Sequence, residues 1–161
     1  MLASSLEISG GRYLLLTNIS KANNLRDLAY TAAAHGFVPI VVGERGRGVE
    51  ENVMLEEQLP RIPIILRFYD LGEAAEYLGS RNVPIIGIEI MAESRSILDP
   101  GSLPESMALM PGNEGSGLSA TQKAVCQSFV FVPQYSAGTA SLNVNVATAL
   151  VLHHATILKQ H

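Results

Sequence analysis

Two turns in the C-terminal third of this 161-residue chain carry residue types that could grip and position a polar ligand. The first is Gly112-Asn113-Glu114-Gly115-Ser116-Gly117-Leu118-Ser119, which follows the apolar run Met107-Ala108-Leu109-Met110. The second runs from Pro133-Gln134-Tyr135 to Ser141-Leu142-Asn143-Val144-Asn145-Val146-Ala147, where polar residues open an apolar helix. A glycine-rich turn behind a strand leaves backbone donors and acceptors bare beside a ligand. The helix that each turn feeds adds free N–H groups in its first turn. Either turn alone is a weak sign of a nucleotide site.

The elements that must hold these turns follow from the apolar pattern. Strand-like runs lie at Tyr13–Leu16, Val38–Val42, Ile62–Phe68, Val83–Ile90, Met107–Met110 and Phe129–Val132. Helical patterns separate them at about 24–35, 71–80, 118–128 and 141–159. Continuous runs such as Val83-Pro84-Ile85-Ile86-Gly87-Ile88 predict strands buried on both faces, hence a parallel sheet covered by helices. The fold class is therefore α/β. No internal repeat, linker or low-complexity tract divides the chain, so residues 1–161 read as one domain. Gly43–Gln58, with Gly43, Gly46 and Gly48 among charges, reads as a mobile loop.

Ser119 with Gln122 forms an S-x-x-Q capping box, and Asn24 with Asp27 a looser one. In the plainer reading Ser119 and Asn24 only satisfy orphan N–H groups. Likewise Leu142 and Val132, taken alone, are ordinary core residues.

Composition narrows the function. Charged residues make up 16% of the chain, below the roughly 25% of typical domains, and hydrophobic ones 47%. So few charges predict an apolar patch buried by self-association. The net charge of −4, with no basic run, argues against nonspecific nucleic-acid binding. A single cysteine, Cys126, excludes an internal disulfide and fits a reducing, cytoplasmic setting. Its plainer role is a small apolar residue on a buried helix face. No segment reaches the ~18 apolar residues of a membrane span, and Met1–Glu7 lacks the profile of a secretion signal. His153 and His154 fall late in a helix, where cations are favoured. With no Cys or carboxylate nearby in sequence they are not read as metal ligands, and no metal is expected.

In their order and spacing the two turns resemble motifs 2 and 3 of the SpoU (TrmH-like) RNA methyltransferases of the SPOUT superfamily. Asn18 to Gly36 fits the shape of motif 1. The form Pro133-Gln134-Tyr135 leading to Gly138-Thr139-Ala140-Ser141 is similar to a mainly eukaryotic branch, although Ser136 stands where that branch has glycine. The resemblance spans about Leu14 to Leu152. It implies a parallel sheet with a deep C-terminal trefoil knot, an exception to the rule against threaded chains. It further implies S-adenosylmethionine as cofactor, a homodimer, and methylation of a ribose 2′-hydroxyl in tRNA or rRNA. Carried over by position, Gly112, Val132 and Leu142 contact the cofactor, with Met110, Gln134 and Asn143 completing the wall. Asn24, Arg26, Glu114, Ser141 and Asn143 form the catalytic set. With no appended RNA-binding domain in view, RNA recognition falls to the dimer surface or to an accessory RNA-binding protein.

The chain departs from the family in motif 1. The family pattern is Asn-x-Gly with an Arg four residues after the Gly. Here Asn24 and Gly36 keep their places, while Arg26 stands at the Gly position and Tyr30 at the Arg. The family Arg orients the hydroxyl and stabilises developing negative charge. Tyr30 donates a hydrogen bond but carries no charge. Arg26, one helical turn away on the same face, could supply the guanidinium or be a solvated first-turn residue. Three readings follow: an active RNA methyltransferase; a degenerate binding subunit holding cofactor, RNA or a partner without turnover; and an unknotted, doubly wound nucleotide-binding protein. The last lacks its expected glycine-rich turn after the first strand, because Thr17-Asn18-Ile19-Ser20 is no phosphate cradle.

Overall fold

The computed structural model describes residues 10–43, 61–62, 64–136 and 142–160. Ser141 and nearly all of the loop expected at Gly43–Gln58 lie outside the described residues. The elements run β1 (Arg12–Leu16), α1 (Ala22–Ala34), β2 (Val38–Val42), β3 (Leu66–Phe68), α2 (Leu71–Ser80), β4 (Ile85–Ile88), β5 (Arg95–Ser96), β6 (Met107–Pro111), α3 (Ala120–Val125), β7 (Ser128–Phe131) and α4 (Val144–Gln160). The seven strands of the described residues form one sheet in the order β3-β2-β1-β6-β4-β7-β5, with every pair parallel.

Successive side chains of a strand point to opposite faces, and here both faces are covered. Leu14 and Leu16 of β1 and Leu109 of β6 pack with Leu25, Leu28 and Ala32 of α1 and Val151, Leu152 and Ala155 of α4. Tyr13, Leu15, Ala108 and Met110 turn the other way, toward Ala74 and Leu78 of α2 and Leu118 ahead of α3. This two-sided burial is why the strands read as unbroken apolar runs rather than alternating ones.

Helix ends follow their local chemistry. In α3, Ser119 Oγ accepts from Gln122 N while Gln122 Oε1 accepts from Ser119 N, the expected capping box. Asp70 caps α2 by accepting from Glu73 N. Both α1 and α2 close with a paired 6→1 and 5→2 hydrogen-bond pattern around a left-handed residue, Gly36 (φ 75°) and Asn82 (φ 58°). The looser box at Asn24 and Asp27 does not form. Lys21 is the N-cap of α1 and makes no side-chain cap bond, since an ammonium has no acceptor; Asn24 lies inside the first turn and bonds Glu114.

The other differences are of length. The run Val83–Ile90 contributes only Ile85–Ile88, since Pro84 has no N–H to pair and Ile90 is exposed past the sheet. The α3 helix stops at Val125 because Cys126 turns extended (φ −81°, ψ 136°). The two-residue β5, paired with β7, carries no apolar pattern and was not visible in the sequence. Among the described residues no helix is long and apolar enough to cross a membrane.

Candidate functional site

Parallel strands bring their carboxyl ends to one edge, and the register decides which loops meet there. Ile88 of β4 pairs with Pro111 of β6 and Val130 of β7. Glu89, Gly112 and Val132 therefore emerge together, and a cleft of about 350 Å3 opens between them and the start of α4. Its wall includes the Gly112–Gly117 turn, Glu89, Val132, Gln134, Leu142 and Thr148.

The turn is closed on itself. Asn113 N donates to Gly117 O (2.9 Å) and Gly117 N to Asn113 O (3.0 Å). Asn113 Oδ1 accepts from Gly115 N (2.9 Å) and Ser116 N (3.2 Å). Closure leaves no room at Gly112, where a Cβ would lie 2.5 Å from Gly117 C and 2.7 Å from Leu118 N. Glycine is required there by the chain's own backbone, ahead of any ligand. Glu89 braces the far end, its Oε2 accepting from Leu118 N (3.1 Å).

The turn is also tied to the loop after β1. Glu114 accepts from Ser20 N (Oε1, 3.1 Å), Lys21 N (Oε2, 3.0 Å) and Asn24 Nδ2 (Oε2, 3.0 Å). A carboxylate more than 90 residues away thus accepts from the N-cap amide of α1 and from the amide before it, and negative charge at a helix N-terminus is favourable. Beside it Asn113 Nδ2 donates to Asn18 O (2.8 Å) and Ser20 Oγ (2.7 Å). Asn18 itself is held at φ 60°. Asn145 Nδ2 reaches Asn24 Oδ1 (3.3 Å), so α4 joins the same network.

Partial burial alone would raise the Glu114 carboxyl. Its own amide, Ser20, Asn24 and Lys21 together outweigh that and hold it below the usual carboxylate range. Glu114 is accordingly an anion at neutral pH and a poor proton acceptor. Burial pushes the Cys126 thiol up to about 11, with the nearby Glu89 charge adding to the effect and a Gly87 backbone hydrogen bond opposing it. Cys126 Sγ donates to Gln122 O (3.3 Å).

Several expected site residues meet in this arrangement. Gly112, Val132, Gln134 and Leu142 line the cleft. Asn24 and Glu114 are bonded to each other at its edge. Three others stand elsewhere. The Met110 side chain is fully buried on the α2 face of the sheet and does not line the cleft, because its parity in β6 points it away. Asn143 is not a lining residue either; its Oδ1 accepts from Asn145 N (2.9 Å) and Val146 N (3.4 Å) at the start of α4. Arg26 lines no part of the cleft, and its Nε lies 3.4 Å from Asp27 Oδ1. Tyr30 is half-buried against the α1 side of the core.

Sequence reading missed Glu89, Asn113 and Asn145 as site-forming groups. A lone acid directly after a buried strand was the available signal for Glu89. Asn113 and Asn145 sit inside the two motifs, but nothing in their spacing says what they bond. His153 packs edge-on against His35, the C-cap of α1, at 5.7 Å. Among the described residues no group of His, Cys, Asp or Glu is arranged to hold a metal ion.

A model of the SpoU rRNA methylase family matches residues 11–153. The 23S rRNA (guanosine-2′-O-)-methyltransferase RlmB of Blochmanniella floridana is 30% identical over 143 residues, 86% of this chain and 54% of that protein. An uncharacterized tRNA/rRNA methyltransferase of Mycobacterium bovis is 28% identical over 163 residues, 99% of this chain and 49% of its own. The chain thus spans about half the length of these curated relatives. The crystal structure of the SpoU methyltransferase AviRb from Streptomyces viridochromogenes, in complex with the cofactor AdoMet, matches in fold with a TM-score of 0.76 at 18% identity. That match covers 94% of this chain and 59% of AviRb.

Proposed function

The chain belongs to the SpoU rRNA methylase family, and from that premise we propose that it transfers a methyl group from S-adenosylmethionine to a ribose 2′-hydroxyl of tRNA or rRNA. The observation that carries this reading is the bond between Asn24 and Glu114, which joins the cleft to the first helix where an acceptor would approach. The cleft suits the cofactor. Its volume of about 350 Å3 falls within the range of small-molecule sites, its walls mix backbone with Val132 and Leu142, and the Glu89 carboxylate complements a cation. When bound, S-adenosylmethionine supplies an electrophilic methyl group.

The chain's own residues do the positioning. Gly112, Val132, Gln134 and Leu142 hold the cofactor, and the closed Asn113–Gly117 turn presents fixed backbone groups to it. Glu114 does not take the hydroxyl proton, since its donors keep it a weak base. It fixes Ser20, Lys21 and Asn24 relative to the cleft, so that the acceptor meets a preset edge.

The trefoil knot belongs to the same proposal. Supporting it, β6 is inserted between β1 and β4, and the start of α4 lies over the β6 turn. A crystal structure tracing residues 137–141 tests it. A homodimer is proposed on the exposed face of α4, where Val146, Leu150, His153 and Ile157 recur within about 60° of one another. Light scattering at micromolar concentration should give twice the chain mass, and a monomer there would contradict it.

One observation favours the second reading, a binding subunit without turnover. Among the described residues no Arg or Lys lines the cleft. Arg26 remains a candidate to supply the family's guanidinium. Methyl transfer from labelled S-adenosylmethionine to total cellular RNA, followed by nucleoside analysis, decides between the two. A 2′-O-methylnucleoside supports the enzyme, and a methylated base revises the acceptor. Cofactor binding without transfer supports the second reading, and Arg26→Gly with Tyr30→Arg, which restores the family pattern, should then create activity.

A further inference from the structure

The carboxyl ends of β1, β2 and β3 surround a second cleft of about 800 Å3. Its floor is apolar, with Leu16, Leu25 and Val41 all buried. One wall is the loop after β1, where Thr17 and Ser20 bring hydroxyls and Asn18 an amide. Facing it from the end of β3 stand Tyr69, 49% exposed, and Asp70. Among the described residues no Lys or Arg lines this cleft, and a carboxylate at its rim disfavours a phosphate. An apolar floor, an aromatic wall and neutral hydrogen-bonding groups suit a flat, uncharged ligand with polar edges. A nucleobase with its ribose has that chemistry.

The two clefts share a wall. Ser20 lines the second cleft, and its N–H is held by Glu114, which lines the first. Asn18 also lines the second, and its carbonyl accepts from Asn113 of the first. The loop after β1, bonded to the Asn113–Glu114 turn, is therefore a wall common to both clefts.

We propose that this second cleft receives the nucleoside of the RNA that is to be methylated, turned out of its stack, with its base against Tyr69. The assignment rests on the methyltransferase reading and adds a substrate-positioning residue, Tyr69, outside the family motifs. Aromatic stacking tolerates any base, so Tyr69 fixes the plane of the base, and Thr17, Asn18 and Ser20 read its edge.

The test has two arms. In the first, the full chain with labelled Val, Leu and Ile methyl groups is saturated with S-adenosylhomocysteine and titrated with each of the four nucleosides. Methyl resonances of Val41, Val42 and Leu71 should shift while those of Val132, Leu142 and Val144 stay still. Tyr69→Ala should abolish the shift and Tyr69→Phe, which keeps the ring, should retain it. Shifts confined to the first cleft, or none at millimolar nucleoside, overturn the proposal. In the second arm, Tyr69→Ala should raise the half-saturating RNA concentration for methyl transfer roughly 10-fold, the scale of losing one base–aromatic stack, with cofactor affinity unchanged. An unaltered RNA dependence overturns the proposal. Nucleoside binding that RNA fails to displace assigns the cleft to free nucleosides and overturns it equally. Absence of transfer by the wild type would count against the enzymatic reading, and the first arm would still decide whether a nucleoside binds.

Discussion

Replacing Glu114 by Gln keeps the side chain's shape and removes its charge, which isolates what the carboxylate does for the fold. Three donors converge on it, Ser20 N at 3.1 Å, Lys21 N at 3.0 Å and Asn24 Nδ2 at 3.0 Å. A hydrogen bond to a charged group contributes about 1.5–3 kcal/mol and a neutral one about 0.5–1.5, so neutralisation removes roughly 1 kcal/mol per bond. Two donors share Oε2 and one uses Oε1. A Gln oxygen turned to the pair must therefore aim its own NH2 at Ser20 N–H, donor against donor. Solvent at this partly exposed site softens both effects, leaving an expected loss of about 1–3 kcal/mol at neutral pH.

Urea denaturation of wild type and Glu114→Gln, analysed by linear extrapolation, measures that loss, and its pH dependence supplies an internal check. The folded-state pKa lies below the ordinary 4.5. The stabilisation is therefore complete above 4.5 and is lost as pH falls through the lower, folded value. Other carboxyls titrate alike in both proteins and cancel. The stability difference should stay flat from neutral pH to about pH 5 and shrink below it. A difference that holds constant to about pH 2, or is absent at neutral pH, would refute the argument that charge at Glu114 caps α1.

Three further outcomes are expected. Gly112→Val should destabilise by about 3 kcal/mol or more in urea denaturation, because the added Cβ meets the backbone of Gly117 and Leu118, which cannot swing aside; loss of cofactor binding with full stability would show that the glycine serves only the ligand. Asn143→Ala should cost about 1 kcal/mol as a lost N-cap while the cleft keeps its lining, so thermal stability should fall with little change in cofactor affinity by calorimetry. Cys126, with its thiol pushed up to about 11, should alkylate in the folded protein about 10²-fold more slowly than in urea near neutral pH, and equal rates would contradict its burial.

The layers of this fold were legible because parallel strands covered on both sides leave long apolar runs, as in Ile85–Ile88 and Met107–Met110. The Ser119–Gln122 box was legible because both partners lie within one turn. The Glu114 cap was not, since a carboxylate and an amide 93 or more positions apart carry no local pattern. A separation of 90 positions likewise hid Asn24, whose spacing to Asp27 suggested a local cap while its amide was committed to Glu114. Motif position puts Met110 near the site, while strand alternation turns its side chain to the other face of the sheet, which only the register of β6 reveals.

The position of β6 has a consequence for how the chain is made. Among the described residues the strands β3-β2-β1 and β4-β7-β5 form two ribbons that share no strand pairing, and β6 alone bridges them. During synthesis the first ribbon emerges with β1 as an open edge, a template for unwanted pairing, and stays so until residues 107–111 are available. Because β1 and β6 lie so far apart in sequence, that pairing is slow for entropic reasons. The turn that builds the cleft hangs on the end of β6, so the cleft exists only once the two ribbons are joined. Ligand binding would then report completion of folding, and a ligand present early would favour the joined state by mass action.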